Sequence, residues 1–290
     1  MTHSGPQVGS LVRIRRRLAA SRLAPIVALP PRLEMVGRHN LQVAGASIRW
    51  LLQSREHTNL TYDLTALNRE HLAWFIANVA GTPVSRIRQY ICELEGDEDL
   101  RRHVRARTSG ATRSGIADVE ARYARRLGWY ALVRAVRPQH IVETGTDKGL
   151  GSCVLAAALL RNGAGRLTTI DINPESGYLI APPYSAVVER VVGNSLAELQ
   201  TLAAPVDIFL HDSDHSPAYE GAEFAAISPH LSQASLVLSD NAHVTRQLLA
   251  WAEANDRAFA FFDERPDRHW YPGDGIGIAY QRHSLTVPSE

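Results

Sequence analysis

The chain has 290 residues, 45% hydrophobic and 21% charged, with a net charge of +1. That length carries a packed core in one large domain or two smaller ones, and so balanced a charge gives no global case for a nucleic-acid partner. Two cysteines, Cys92 and Cys153, are too few for a disulfide framework, and no apolar run reaches the roughly 18 residues of a membrane span.

Residues 1–55 hold nine arginines and one acid, Glu34. The run Arg13, Arg15, Arg16, Arg17 suits an anionic partner or a membrane surface; a solvated tail or first helix is the simpler reading, because its apolar neighbours are few. The following LAPIVALP is short and leads into Pro31 and Arg32 without a small-residue cleavage site, so it does not read as an export signal, and a cytoplasmic protein is expected. A stripe of Leu67, Leu72, Phe75, Ile76 and Val79 predicts a helix over 64–80, stopped at Gly81. Thr82-Pro83 opens a second helix with Val84, Ile87, Tyr90, Ile91 and Leu94 on one side. A third runs from Gly96 through His103 to about Arg107. This helical unit covers a site, selects a ligand or joins copies of the chain as a homo-oligomer; the residues leave that choice open. Thr108–Ser114 is small and polar, a linker, which divides the chain into an N-terminal arm and helical region, 1–112, and a second domain, 113–290. Val119, Tyr123, Leu127, Tyr130 and Val133 then anchor a helix from Gly115 towards Pro138.

The stretch 140–171 reads as strand, glycine loop, helix and strand. Ile141 and Val142 suit a buried parallel strand. Glu143, Gly145, Gly149, Gly151 and Ser152 follow, and glycines there let a ligand approach the backbone. A helix through Leu155, Leu159 and Leu160 ends near Asn162-Gly163 and carries Cys153 as a small buried hydrophobe. Leu167–Ile170 form the next strand, and Asp171 at its end can accept both hydroxyls of a ribose. A dinucleotide fingerprint wants G-x-G-x-x-G, and E-T-G-T-D-K-G-L-G-S lacks the first G-x-G. The loop resembles motif I of class I S-adenosylmethionine (SAM) methyltransferases, acid-x-Gly-x-x-x-Gly-x-Gly. The resemblance implies that Glu143, Gly145, Gly149 and Ser152 surround the amino-acid part of SAM, that Asp171 holds the ribose, and that Asn194 and Ser195 lie near the adenine. A βαβ turn without ligand and an NAD site are the alternatives. The chain's one lysine, Lys148, sits in this loop without an assigned role.

Residues 172–185 are rich in Pro, Gly and Ser, a loop near the ligand edge and a candidate lid. Strands follow at Val187–Val192, Val206–Leu210, Leu236–Leu238, Phe259–Phe262 and Ile276–Tyr280, with helices at Pro217–His230 and Val244–Asn255. The alternation predicts an α/β protein: a Rossmann-like doubly wound, seven-stranded, mostly parallel sheet with an N-terminal helical region and ligand at its C-terminal edge.

Two strand ends carry the chemistry. FLHDSDHS ends the fourth strand and LVLSDNAH the fifth, so Asp212, Asp240 and Asn241 can converge as hard oxygen ligands suited to Mg²⁺. His211, His215 and His243 keep zinc open, although no thiol joins them. The plain readings are a helix cap for Asp214, a turn for Asp240-Asn241 and a core histidine for His211. Tyr178, Tyr184, Trp270 and Tyr271 either wall a substrate pocket or pack. Asp, then Asp-Asn 28 residues later, resembles the metal site of metal-dependent O-methyltransferases, the group that includes catechol O-methyltransferase. There the base is a lysine three residues after the first aspartate; His215 stands here instead, which is similar to macrolide-sugar O-methyltransferases of the mycinamicin type. The resemblance spans about residues 115–285. It implies Mg²⁺-dependent transfer of the SAM methyl to a hydroxylated small molecule, a sugar rather than a catechol, with His215 as base. A phenolic acceptor, or a SAM- or nucleotide-binding scaffold without methyl transfer, are the competing expectations.

Overall fold

The structure, a computed structural model, describes residues 12–13, 16–56, 60–111 and 117–281. They divide into two compact units. The first holds the residues up to Gln53 together with Arg268–Trp270. It contains α1 (Ala24–Val27) and α2 (Leu29–Gln53), and Trp50 meets Trp270 edge-on with ring centroids 5.3 Å apart. Of the basic run, Arg15 lies outside the described residues. No described helix is long and apolar enough to cross a membrane.

The second unit, Ser54–Asp267 with the residues from Tyr271 on, holds the helical region and the sheet together. The boundary expected at 112/113 lies outside the described residues. Helices α3 (Ala66–Ala80), α4 (Val84–Glu95) and α5 (Glu98–Gly110) match the three expected segments. Thr65 caps α3 by accepting from Asn68 N at 3.3 Å, and Asp97 caps α5 by accepting from Leu100 N at 2.9 Å. Leu72, Ile76 and Val79 bury the inner face of α3, while Leu67, expected with them, stays 67% exposed. Helices α3 and α4 pack on α6 (Arg126–Val136), where Gly128 leaves room: a Cβ there would stand 2.8 Å from Leu72 Cδ1.

The helix expected from Gly115 starts only at Arg126; residues 115–116 lie outside the described residues, and 117–125 run without helix. Ala124 has φ +45°, and the Arg125 side chain is drawn into a group of buried acids. Those ion pairs outweigh local helix propensity.

Seven strands follow: β1 (His140–Thr144), β2 (Arg166–Asp171), β3 (Val188–Val192), β4 (Val206–His211), β5 (Leu231–Ser239), β6 (Ala258–Asp263) and β7 (Gly275–Tyr280). Their order is β3-β2-β1-β4-β5-β7-β6; the first five are parallel, and β7 runs antiparallel to both neighbours. The chain thus has the expected mostly parallel Rossmann-like sheet. Alternate residues feed two cores, as the two-residue period of a strand requires. Ile141, Ile208 and Leu238 face the helical region and α7 (Leu150–Asn162). Val142, Phe209 and Val237 face α8 (Ser195–Gln200), α9 (Pro217–Ile227) and α10 (Gln247–Ala254). Helix α10 starts three residues later than expected, because Asn241 at φ +54° turns the chain after β5. The 172–185 loop is held from α5: His103 Nε2 bonds Leu179 O at 2.7 Å, and Arg107 Nη2 donates to Tyr178 O at 2.7 Å.

Candidate active site

Strand order reverses between β1 and β4, and their diverging tips leave the crevice where sheets of this kind take ligands. Gly145, at φ +87°, turns directly against β4. A Cβ there would sit 1.8 Å from the Asp212 carbonyl oxygen, so no side chain fits. Gly149 starts α7 at φ +89°. Asp171 shapes the loop from β2: its Oδ2 accepts from Thr146 N at 3.0 Å and Asp147 N at 2.9 Å.

Glu143 and Ser152, expected around the cofactor, are buried beneath the loop and bonded to each other, with Thr169 Oγ1 adding a second hydrogen bond to Glu143 at 2.7 Å. Burial pushes the Glu143 carboxyl up to about 7, against the two hydroxyls that favour its charge. Its side chain points inward from a strand buried on both faces. It therefore supports the loop from below rather than forming the crevice wall.

Above the loop lies a cavity of about 420 Å³, bordered by Gly145, Asp171, Asn194, Ser195 and Asp212. Asn194 caps α8, accepting from Leu196 N at 3.0 Å. Beneath it is a residue that sequence reasoning missed. Glu223 of α9 is fully buried and accepts from Ser195 Oγ, from Ser213 Oγ at 2.9 Å, from Thr144 Oγ1 at 2.7 Å and from His211 Nδ1 at 2.7 Å. Burial opposes its ionisation, but these donors prevail and hold its carboxyl below the usual range. One carboxylate thereby ties the loops after β1, β3 and β4.

Asp212 borders a second cavity of about 380 Å³ with His215, Asp240, Asn241, Arg125 and Asp274. Ligand atoms of Asp212, His215 and Asp240 lie within 4.8 Å of one another. The turn at Asn241 aims its amide inward; Nδ2 lies 3.0 Å from His215 Nε2, and Oδ1 is buried with no hydrogen-bond partner among the described residues. Burial and the repulsion of Asp240 push the Asp212 carboxyl up; Arg125 holds that of Asp240 down in spite of burial. The donor set fits a hard divalent cation: two carboxylates and an amide oxygen that lacks a partner.

Arg125 was not foreseen. It is buried and grips Asp240 through Nε and Nη2, while Nη1 reaches Glu264 at 3.0 Å and Asp274 at 3.1 Å. Tyr62 donates to Glu264 at 2.9 Å, and Tyr271 donates to Asp274. Burial and neighbouring His211 hold the His215 imidazole below its ordinary pKa. The three-histidine set considered for zinc does not assemble: His211 Nδ1 is taken by Glu223, and His243 is exposed. Asp214 accepts from Ser216 N at 2.8 Å ahead of α9, a turn and not a ligand. Of the four aromatic candidates Tyr271 lines the cavity, Tyr184 is buried against His103, Tyr178 packs on the core, and Trp270 belongs to the first unit.

Residues 142–242, from β1 to just past β5, match the family described as a methyltransferase domain. No curated protein matches the chain. Among solved structures, the O-methyltransferase TomG from Streptomyces achromogenes, involved in tomaymycin synthesis and bound to SAM, is 23% identical with a TM-score of 0.50; the match covers 64% of this chain and 91% of that one. An O-methyltransferase from Bacillus cereus in complex with SAH is 16% identical with a TM-score of 0.53, covering 67% of this chain and 96% of that one. At these identities the likeness is one of fold. Residues 142–242 thus match a methyltransferase domain, and the sheet has the fold seen in these O-methyltransferases.

Proposed function

From a chain that carries a methyltransferase domain on the class I SAM-dependent fold, we propose an O-methyltransferase that uses Mg²⁺ and acts on a sugar hydroxyl of a natural product or glycan. The observation that carries this reading is the pairing of two cavities through one residue. Asp212 borders the crevice beside Asp171 and Asn194, and also the cavity that holds Asp240, Asn241 and His215. The structures of TomG with SAM and of the Bacillus cereus enzyme with SAH support SAM as the occupant of the first.

Asp212, Asp240 and Asn241 would hold the cation. Bound there, it would lower the pKa of the acceptor hydroxyl and fix its line of attack on the SAM methyl. Four carboxyl groups (Asp212, Asp240, Glu264 and Asp274) act on the guanidinium of Arg125, and Arg126 adds a second positive charge to Asp212 and Asp240; the acids still outnumber the cations, which suits a divalent ion next to a sulfonium. His215 takes the acceptor proton: its depressed pKa keeps the imidazole neutral at pH 7, with the basic lone pair on Nε2, the nitrogen that faces the Asn241 amide at 3.0 Å. The cavity wall favours a sugar. Seven of its nine residues are charged or carry imidazole or amide groups, leaving Leu60 and Tyr271, too little apolar surface to grip an arene.

The test is SAH formation from a panel of glycosides and catechols, with Mg²⁺ and then with EDTA. Glycoside turnover should fall to background in EDTA and return with Mg²⁺; undiminished turnover in EDTA removes the cation, and turnover of catechols alone removes the sugar. The pH profile provides a further prediction. Because the neutral imidazole is the active form, kcat/KM should be flat at neutral pH and fall only below about pH 6.5. An acid limb centred above neutrality would exclude His215 as the base.

A further inference from the structure

Arg126, the first residue of α6, is 3% exposed. Its guanidinium lies over the Trp129 ring, 5.5 Å from the centroid, and among the described residues neither Nε nor Nη1 has a hydrogen-bond acceptor. A buried guanidinium whose Nε and Nη1 make no hydrogen bond is costly: the acids whose charge reaches it, Glu143, Asp212 and Asp240, leave those donors unmet, and an acceptor from a ligand would satisfy them. Its place is defined by its neighbours. The Trp129 edge is 3.1 Å from where a Cβ on Gly151 would stand, in the first turn of α7. The charge of Arg126 acts on Glu143, Lys148, Asp212 and Asp240, which surround the glycine loop and the tips of β4 and β5. Lys148, the other cation of the loop, faces Glu56 at 3.7 Å. Helix α7 also begins here, and the free amide groups of its first turn favour negative charge.

We propose that Arg126 receives the α-carboxylate of the methionine part of SAM. This rests on the SAM reading of the crevice. It assigns the cofactor's anionic end to a residue outside the glycine motif.

The test is calorimetric binding of two nucleosides to wild type, Arg126→Gln and Arg126→Lys. SAH carries the carboxylate; 5′-methylthioadenosine lacks the whole amino-acid part. Arg126→Gln should weaken SAH by about 10- to 100-fold, the scale of a lost charge-assisted hydrogen bond, and leave methylthioadenosine within twofold. Arg126→Lys should recover part of the SAH loss. An SAH affinity within twofold of wild type, or an equal loss for both nucleosides, overturns the assignment. If wild type binds neither nucleoside, the cofactor reading falls and takes this assignment with it.

Discussion

Replacing His215 with alanine is expected to lower kcat by about 10²- to 10⁴-fold, the contribution of a positioned general base, while SAH affinity stays near that of wild type. His215 stands three residues past Asp212 on the tip of β4, with Nε2 3.8 Å from Asp212 Oδ1 and 3.0 Å from Asn241 Nδ2. It borders the cavity of Asp240 and Asn241 and is absent from the wall of the crevice beside Asp171. Loss of the ring thus affects proton transfer more than cofactor binding. Its side chain is a quarter exposed, so truncation leaves the core packing intact. The measurement is kcat and KM for SAM, with SAH affinity from calorimetry alongside. A kcat within tenfold of wild type would take the base role away from His215. A loss of SAH binding equal to the loss of rate would make it a cofactor residue instead.

The sequence revealed the frame better than the interior of the site. Apolar runs marked the strands because a parallel sheet covered on both faces needs them, and Val142, Phe209 and Val237 are indeed fully buried. Asp212, Asp240 and Asn241 were legible because each closes such a run, where a side chain meets the ligand edge. The glycine loop was legible as a loop, but the direction of Glu143 was not: a motif fixes spacing, and whether an acid at its head points up to a ligand or down to Ser152 depends on neighbouring strands. Glu223 and Arg125 carried no local signal. Glu223 sits on a helix whose exposed positions are Pro217, Ala218 and Ala225 while its acids are buried, the reverse of an amphipathic pattern, and its partners Thr144 and Ser195 lie 79 and 28 residues away. Arg125 lies in a run of arginines that reads as surface, and its partners Asp240 and Glu264 are 115 and 139 residues distant. Buried charges find their counter-charges across the fold, and no periodicity records such a pairing.

Arg125→Met should be the most destabilising substitution near the site. Methionine fills the volume but leaves Asp240, Glu264 and Asp274 without the cation they share. Breaking a buried ion pair on one side costs about 3–5 kcal/mol, which for a unit of this size lowers Tm by about 10 °C. The backbone N–H of Arg125 also donates to Glu264 Oε1 at 2.8 Å, a bond the variant retains, so the loss is chiefly electrostatic. That origin gives it a signed pH dependence. In wild type Arg125 holds the Asp240 carboxyl below its unfolded value, a contribution present above that value and lost as pH falls through the folded one. In the variant burial outweighs the remaining charge of Arg126 and the hydrogen bond from Tyr62, so the stranded carboxyls rise above their unfolded values, and stability is lost as pH rises through them. The two melting curves should therefore converge between about pH 7 and 5. Mg²⁺ should raise the Tm of the variant more than that of wild type, because the added charge relieves a larger excess of carboxylate. Equal melting temperatures at neutral pH, or a gap that widens in acid, would mean that Arg125 is not the counter-charge on which this end of the sheet depends.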